Sequence, residues 1–317
     1  MKNTVLVTGG AGFIGSHIVD EFIKDDFDVI AIDNLSSGKR DNLNPLARFK
    51  YGDIRDKNFL EKIFKDYNID YIIHQAAQID VRKSVSDPIY DANVNVIGLL
   101  NLLELSKEYG VKKFIFASSG GVVYGEPSEL PVKETYSKGP LSPYGVSKLS
   151  SEYYLYYYNK VFGLPYIALR YGNVYGPRQD PHGEAGVIAI FIGRILHNED
   201  ITVFGSGEQI RDYVFVKDVA RVNRLSVDLD LEGDNIDDFA FNIGTGVGTS
   251  VNKLISYLKE LTGFLKDPIY APPRKGELQK IILDSEKARK IFGISSWVPM
   301  KEGLKKTFEW FKERDEK

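Results

Sequence analysis

Apolar residues fall in two rhythms along the first half of the chain. Short runs rich in β-branched and aromatic residues, at Thr4–Thr8, Val29–Asp33, Phe49–Tyr51, Tyr71–His74, Lys113–Ala117 and Tyr166–Arg170, alternate with segments of helical period. In Phe13 to Lys24, for instance, Phe13, Ile14, Ile18, Val19, Phe22 and Ile23 recur at the spacing of one helix face. Strands separated by amphipathic helices mark repeated βαβ units, each helix covering a parallel sheet. The pattern therefore predicts an α/β fold, a doubly wound parallel sheet of six strands over residues 1–170. After about Tyr171 the alternation loosens and Pro, Gly and long loops increase, which predicts a smaller C-terminal α/β lobe over 171–317, built above the carboxyl edge of the sheet. Within it, Asp212–Val219 and Phe239–Ile243 read as strands that return to the first lobe, so segments near 212–243 belong with it. Ser250 offers an N-cap to a helix over Val251–Leu261, and Gly263 offers its stop.

The first strand runs into Gly9-Gly10-Ala11-Gly12-Phe13-Ile14-Gly15 and then into a helix. Glycines in that turn let the backbone approach a pyrophosphate, whose charge the helix N-terminus attracts. Asp33 closes the next strand 18 residues after Gly15, near the spacing from which a carboxylate hydrogen-bonds an adenosine ribose. That carboxylate repels a 2′-phosphate, so the first lobe reads as a Rossmann domain for NAD rather than NADP. Lys39 and Arg40 follow closely and work against this preference if they face a phosphate.

Ser142 is a good helix N-cap and Pro143 suits the first helical position, so Tyr144 and Lys148 share one face of the helix that begins there. A phenol titrating near pH ~10 is a poor base at neutrality. A neighbouring ammonium and a positive nicotinamide ring both favour its ionised form. Such a pair is common on solvated helix surfaces and gains chemical meaning here from the dinucleotide turn.

Composition narrows the field. Forty-one Lys and Arg against 44 Asp and Glu leave a net charge of −3, too small and too interspersed to select a phosphate backbone, so nucleic acid is not an expected partner. There is no cysteine, which removes disulfides, thiolate metal sites and thiol nucleophiles together and fits a reducing cytoplasm. Apolar runs such as Gly186 to Gly193 fall far short of the roughly 20 residues of a spanning helix. The start, MKNTVLVTGG, reads directly into a strand, so a soluble, unexported protein is expected. His74, His182 and His197 lack metal-ligand spacing, and no metal is assigned.

Gly9-x-x-Gly12-x-x-Gly15 with Tyr144-x-x-x-Lys148 resembles the extended short-chain dehydrogenase/reductase superfamily. Further motifs are similar to its sugar-nucleotide branch, closest to the UDP-glucose 4-epimerase family: Gly52-Asp53-Ile54, His74 to Gln78, Asn95 to Gly98, Val123-Tyr124-Gly125, Arg170 to Pro177 and Arg211-Asp212-Tyr213. The likeness runs from about residue 3 to about residue 310.

On the cofactor side the resemblance implies that Gly9, Gly12, Phe13, Ile14, Gly15, Asp33, Asn34, Leu35, Ser36, Ser37 and Gly38 hold NAD. It adds Asp53 and Ile54 at the adenine, Gln75, Ala76, Ala77 and Gln78 along the pyrophosphate and ribose, and Asn95 and Tyr171 near the cofactor. Lys148 is expected on the nicotinamide ribose, where it also lowers the Tyr144 pKa. Ser119 is expected to bond the sugar hydroxyl and pass its proton towards Tyr144. For the nucleotide-sugar substrate the resemblance implies Ser119, Tyr144, Asn173, Val187, Thr202, Phe204, Arg211, Arg274 and Glu277. Guanidinium groups suit a diphosphate, to which they give permanently charged, bidentate contacts. The implied reaction removes the sugar 4-hydroxyl proton and passes hydride from C4 to NAD. The 4-keto sugar then rotates, and hydride returns to its other face.

Two departures stand out. One extra residue enters the loop Ser118-Ser119-Gly120-Gly121-Val122-Val123-Tyr124-Gly125, so Ser118 and Ser119 both remain candidates for the catalytic serine. Ile281 stands where the family's choice of residue governs room for an N-acetyl group, and its middling size leaves that tolerance open. A UDP-GlcNAc or UDP-glucuronate 4-epimerase is the alternative among enzymes. A 4,6-dehydratase would need an acid pair where this chain has Gly120-Gly121, and a non-catalytic NAD sensor is disfavoured by the intact Tyr144 and Lys148. The family commonly forms a homodimer by pairing the helix after Pro88 with the catalytic helix. Leu99, Leu100, Leu102 and Leu103 are expected to supply its apolar surface, while Tyr153, Tyr154, Tyr156, Tyr157 and Tyr158 read as core or helix packing.

Overall fold

The computed structural model describes residues 2–182, 186–273 and 278–315. β1 (Thr4–Thr8) leads through α1 (Phe13–Lys24) to β2 (Asp28–Asp33), followed by β3 (Arg48–Tyr51), α2 (Lys57–Asp66) and β4 (Tyr71–His74). Next come α3 (Val81–Ser86), α4 (Pro88–Ala92) and α5 (Gly98–Tyr109), the last two joined through a wide π-type turn at Asn93–Ile97. β5 (Lys113–Ser119), α6 (Pro143–Phe162) and β6 (Tyr166–Tyr171) complete the six expected strands.

The second half contributes β7 (Asn173–Tyr175), α7 (Val187–Leu196), β8 (Thr202–Phe204), β9 (Ile210–Phe215), α8 (Val216–Ser226) and β10 (Ala240–Ile243). β11 (Gly248–Ser250), α9 (Val251–Thr262), β12 (Ile269–Ala271), α10 (Glu286–Ile291) and α11 (Met300–Asp315) follow. Ser250 caps α9 through the Lys253 N–H, and Gly263 ends it in the left-handed conformation, as the sequence implies.

The main sheet has seven parallel strands in the order β10-β6-β5-β4-β1-β2-β3. Its seventh member, β10, is the returning Phe239–Ile243 segment. Asp212–Val219 behaves differently from the expectation. β9 stops at Phe215 and pairs with β7 and β11 in a separate three-stranded sheet, and Val216 opens a helix. Val216, Val219, Ala220 and Asn223 are buried at helical rather than alternating spacing, so this stretch returns to the first lobe as α8, packed along α1.

Strand alternation sorts the core into two faces. Val5, Val7, Val29, Ala31, Ile73, Ile115, Ile167 and Leu169 pack with side chains of α1 and α8. Leu6, Ile30, Ile32, Ile72, Phe114, Phe116 and Ala168 pack with α2, α5 and α6. Each fully buried branched side chain contributes about 1.5–3 kcal/mol. Leu99, Leu102 and Leu103 are spent in this core at 0% exposure, so they do not form the outer apolar surface the sequence suggested. A third cluster, around Phe191, Ile192, Phe215, Leu254 and Leu258, holds the second lobe together. The chain moves outward from β1 through β2 to β3 and then crosses back to β4 on the other side of β1, and this reversal opens a crevice at the strand carboxyl ends.

Candidate active site

A cavity of about 420 Å³ lies in that crevice. Its floor is the turn between β1 and α1, with Gly9, Gly12, Phe13, Ile14 and Gly15 on the wall. Gly9 has φ +67°, and a Cβ on it would come 2.8 Å from the Ala76 nitrogen. A Cβ on Gly15 would meet the Gly9 carbonyl oxygen at 2.1 Å, so only glycine lets strand and helix close this tightly. α1 has no side-chain cap and no acidic residue in its first turn, which leaves its first N–H groups for an anion. The cradle fits a dinucleotide pyrophosphate.

Asp33 is on the wall, and its carboxylate accepts the Ala11 N–H at 3.0 Å and the Leu35 N–H at 2.8 Å. Burial raises its pKa while those N–H groups oppose the rise. Asn34, Ser36 and Ser37 line the cavity beside it. Leu35 and Gly38 do not: Leu35 turns left-handed at φ +55° to reach Asp33, and a Cβ on Gly38 would stand 2.8 Å from that carboxylate. Both shape Asp33 rather than face the cavity. Lys39 pairs with Asp180 at 3.4 Å and Arg40 stacks on Phe49, so neither lies on the wall to receive a phosphate.

Asp53 and Ile54 line the next stretch. The Arg55 guanidinium and the Asn34 amide hold the Asp53 carboxyl well below the usual range. Gln75, Ala76, Ala77 and Gln78 follow, and Tyr171 closes the wall with its hydroxyl accepting from Gln75 at 3.1 Å and Asn223 at 2.7 Å. Asn95 is not on the wall. It stands one layer behind, exchanging bonds of 2.8 and 2.9 Å with the Gln78 backbone, and so braces the loop that carries the wall.

Tyr144 and Lys148 reach the same cavity from α6, whose N-cap Ser142 accepts the Gly145 N–H at 3.2 Å. Lys148 Nζ donates to the Ala117 carbonyl at 2.7 Å, and burial brings its pKa down to about 8. The Tyr144 phenol is raised above its ordinary value by burial, then by Asp91, with the hydrogen bond to Ser119 opposing. Lys148 Nζ stands over the Tyr144 ring, 5.7 Å from its centroid. Of the two serines, Ser118 lines the cavity but turns its hydroxyl to Glu152 at 2.5 Å, whereas Ser119 bonds Tyr144.

The second-lobe residues are dispersed. Asn173 opens β7, Val187 opens α7, Thr202 and Phe204 belong to β8, and Arg211 belongs to β9 with Nη1 donating to the Ile210 carbonyl at 3.0 Å. None of the five is on the wall of this cavity. Arg274 and Glu277 lie outside the described residues. Ile281 is buried among Val123, Tyr124, Val132 and Leu283, also off the wall. Among the described residues no group of three or more His, Asp and Glu side chains is placed to hold a metal ion.

Sequence reasoning missed Asp80, Lys83, Tyr90 and Val94, which line the cavity, and Asp91, which is wholly buried behind it. A signal existed. Asp87, Asp91 and Asn95 are spaced by four, a polar stripe along one face of a helical stretch.

A buried phenol and ammonium at the open end of a dinucleotide cradle have one shared use, the movement of hydrogen at a carbinol carbon, and that use defines a nicotinamide-dependent class of enzyme. The chain belongs to the NAD-dependent epimerase/dehydratase family, whose model matches residues 5–244. It is 40% identical over 316 residues to a UDP-glucose 4-epimerase of Mycolicibacterium smegmatis, covering 98% of this chain and 99% of that protein. The crystal structure of a UDP-glucose 4-epimerase with UDP-glucose, from Thermotoga maritima, has 52% sequence identity and a TM-score of 0.94, covering 98% of this chain and 99% of that one. A Thermus thermophilus UDP-glucose 4-epimerase in complex with NAD has 43% identity and a TM-score of 0.90, with 98% and 99% covered.

Proposed function

We propose that this chain is a UDP-glucose 4-epimerase that interconverts UDP-galactose and UDP-glucose with NAD held throughout. The observation that carries the reading is the Tyr144–Lys148 pair on the wall of the glycine-floored cavity, in a chain with full-length likeness to epimerases of that name. NAD, when bound, accepts hydride from the sugar C4 and returns it. Gly9, Gly12 and Gly15 would seat its pyrophosphate, Asp33 its adenosine ribose, and Asp53 and Ile54 its adenine.

Tyr144 takes the 4-hydroxyl proton and later returns it, with Ser119 bridging phenol and sugar. Because burial and Asp91 favour the phenol over the phenolate, positive charge at the site has to offset them. The Lys148 ammonium, fixed to the Ala117 carbonyl, is the chain's own share of that charge. Asn173 and Arg211, with Arg274, hold the diphosphate, and the second lobe keeps water from the 4-keto sugar while it turns. A dehydratase reading lacks its acid pair, since Gly120 and Gly121 occupy that place.

The reading extends to galactose metabolism in the cytoplasm and to a homodimer. No described helix is long and apolar enough to cross a membrane. Ile89 and Ile97 on one side, and Tyr153, Tyr154 and Tyr157 on the neighbouring α6, present exposed apolar surface in place of the buried leucines. The direct test is conversion of UDP-galactose by purified protein without added cofactor. NAD bound tightly, with no turnover of any UDP-sugar, would overturn the reading in favour of a sensor.

A further inference from the structure

Behind the cavity lies the carboxylate of Asp91 on α4, at 0% exposure. Its Oδ2 accepts the Ser147 hydroxyl at 2.6 Å. Its Oδ1 accepts the Gln78 side-chain amide at 2.9 Å and the Asn95 amide at 3.0 Å. Ser147 directly precedes Lys148, and Gln78 is on the cavity wall. One side chain thus ties the catalytic helix, the loop after β4 and the π-type turn together. All three donors are neutral, so they solvate the carboxylate without cancelling its charge.

We propose that Asp91 is a positioning residue of this site, a buried anion that fixes the Tyr144 helix to the cofactor-facing loop and sets the protonation of the Tyr144–Lys148 pair from behind. This rests on the epimerase reading and deepens it. The charged surroundings are few. α6 turns Tyr144, Lys148 and Glu152 towards the region, and Glu152 is itself engaged by Arg170 at 2.6 Å. β4 contributes His74, which burial and Lys148 hold neutral with a pKa of about 3. From α3 and the loop before it come Lys83, seated over the Tyr90 ring, and Asp80, whose carboxylate caps α3. Asp91 stands first among the groups that raise Lys148 against burial, ahead of Glu152, and it raises Tyr144 as well. Its charge therefore favours the proton on both partners. It keeps Lys148 an ammonium further into alkaline solution, and it delays ionisation of the phenol.

The test compares the pH dependence of kcat/KM in the NAD-loaded wild type with that in Asp91→Asn, whose amide retains hydrogen bonding to Ser147, Gln78 and Asn95. Removing the charge lowers both titrations, so the acid and alkaline limbs should each move towards lower pH by about one unit, a typical result of deleting one nearby charge. Ser147→Ala cuts the tether and keeps the charge, so its limbs should stay in place while the rate falls a few-fold. Limbs unmoved in Asp91→Asn would overturn the proposal, as would movement in opposite directions. If Asp91→Asn does not fold, Asp91→Ser takes its place. Loss of the fold in both means a purely structural residue and also overturns the proposal. A wild type without turnover sinks the epimerase reading alone, because ultraviolet titration of Tyr144, taken against Tyr144→Phe in each background, still reads the Asp91 effect.

Discussion

The two lobes are put together by different means. In the first, strands of four to seven residues are bonded into one parallel sheet, and successive strand ends deliver the cavity wall in sequence order. In the second, β7, β8, β11 and β12 are three residues each and form two small sheets whose partners are far apart in the chain. A site on the first kind of scaffold is placed by local segments. A site on the second is placed only by long-range packing. The division suits the proposed labour: a rigid seat for a retained cofactor, and a separately built cover for a substrate that must enter, turn and leave.

The sharpest way to break this comparison is Tyr144→Phe. It leaves the glycine cradle untouched, so bound NAD should persist, while kcat falls about 10²–10⁴-fold for loss of the acid–base group. Wild-type turnover in that variant would remove the first lobe's chemistry from Tyr144. Next in size is Arg211→Ala on β9, which should raise KM for the UDP-sugar about ten- to a hundred-fold, the usual worth of a charge-assisted contact, with kcat nearly unchanged. An equal fall in kcat would mean that the second lobe joins in the transition state and the division is wrong.

A third effect is set by pH. The role proposed for Lys148 needs its ammonium form, and burial brings its pKa down to about 8. In the NAD-loaded enzyme, where the nicotinamide charge has already ionised the phenol, kcat/KM should therefore decline as pH rises through that value, about tenfold per unit well above it, because the fraction protonated falls in that proportion. NAD content, governed by the cradle, should not follow the same curve. A flat profile to pH 10 would show that the Lys148 charge is not used.

What could be read in advance follows the same line. β1, its glycine turn, α1 and Asp33 form one contiguous segment legible from period and spacing, and the structure sets the turn and Asp33 on one cavity wall. The leucines after Pro88 misled, because a helix buried on one face and exposed on another shows the same apolar letters for both. Only packing against α2 and α6 turned Leu99, Leu102 and Leu103 inward and left Ile89 and Ile97 outside. Asn95 and Asp91 both stand behind the wall, bonded to Gln78 on it, and spacing along the chain does not separate a residue that lines a cavity from one that braces its lining. Ser118 and Ser119 alternate across the end of β5, so a one-residue insertion exchanges their roles, and that register is fixed by pairing with β6.

The smallest prediction uses two helix caps as a matched pair. Ser142 accepts the Gly145 N–H at the start of α6, and Ser250 accepts the Lys253 N–H at the start of α9, both at 3.2 Å. Replacing either serine by alanine removes one of the helix's first-turn N–H partners and should cost about 1 kcal/mol of stability. The energetic loss is the same, but its location differs. Ser142 stands two residues before Tyr144, so fraying of that turn moves the phenol directly, whereas Ser250 opens a helix packed in the second lobe's own core. Ser142→Ala should then slow turnover a few-fold at unchanged KM, and Ser250→Ala should leave turnover alone, with thermal melts reporting equal losses for both. Equal kinetic losses would mean that the lobes unfold and move as one body, and the contrast drawn between them would have no consequence for catalysis.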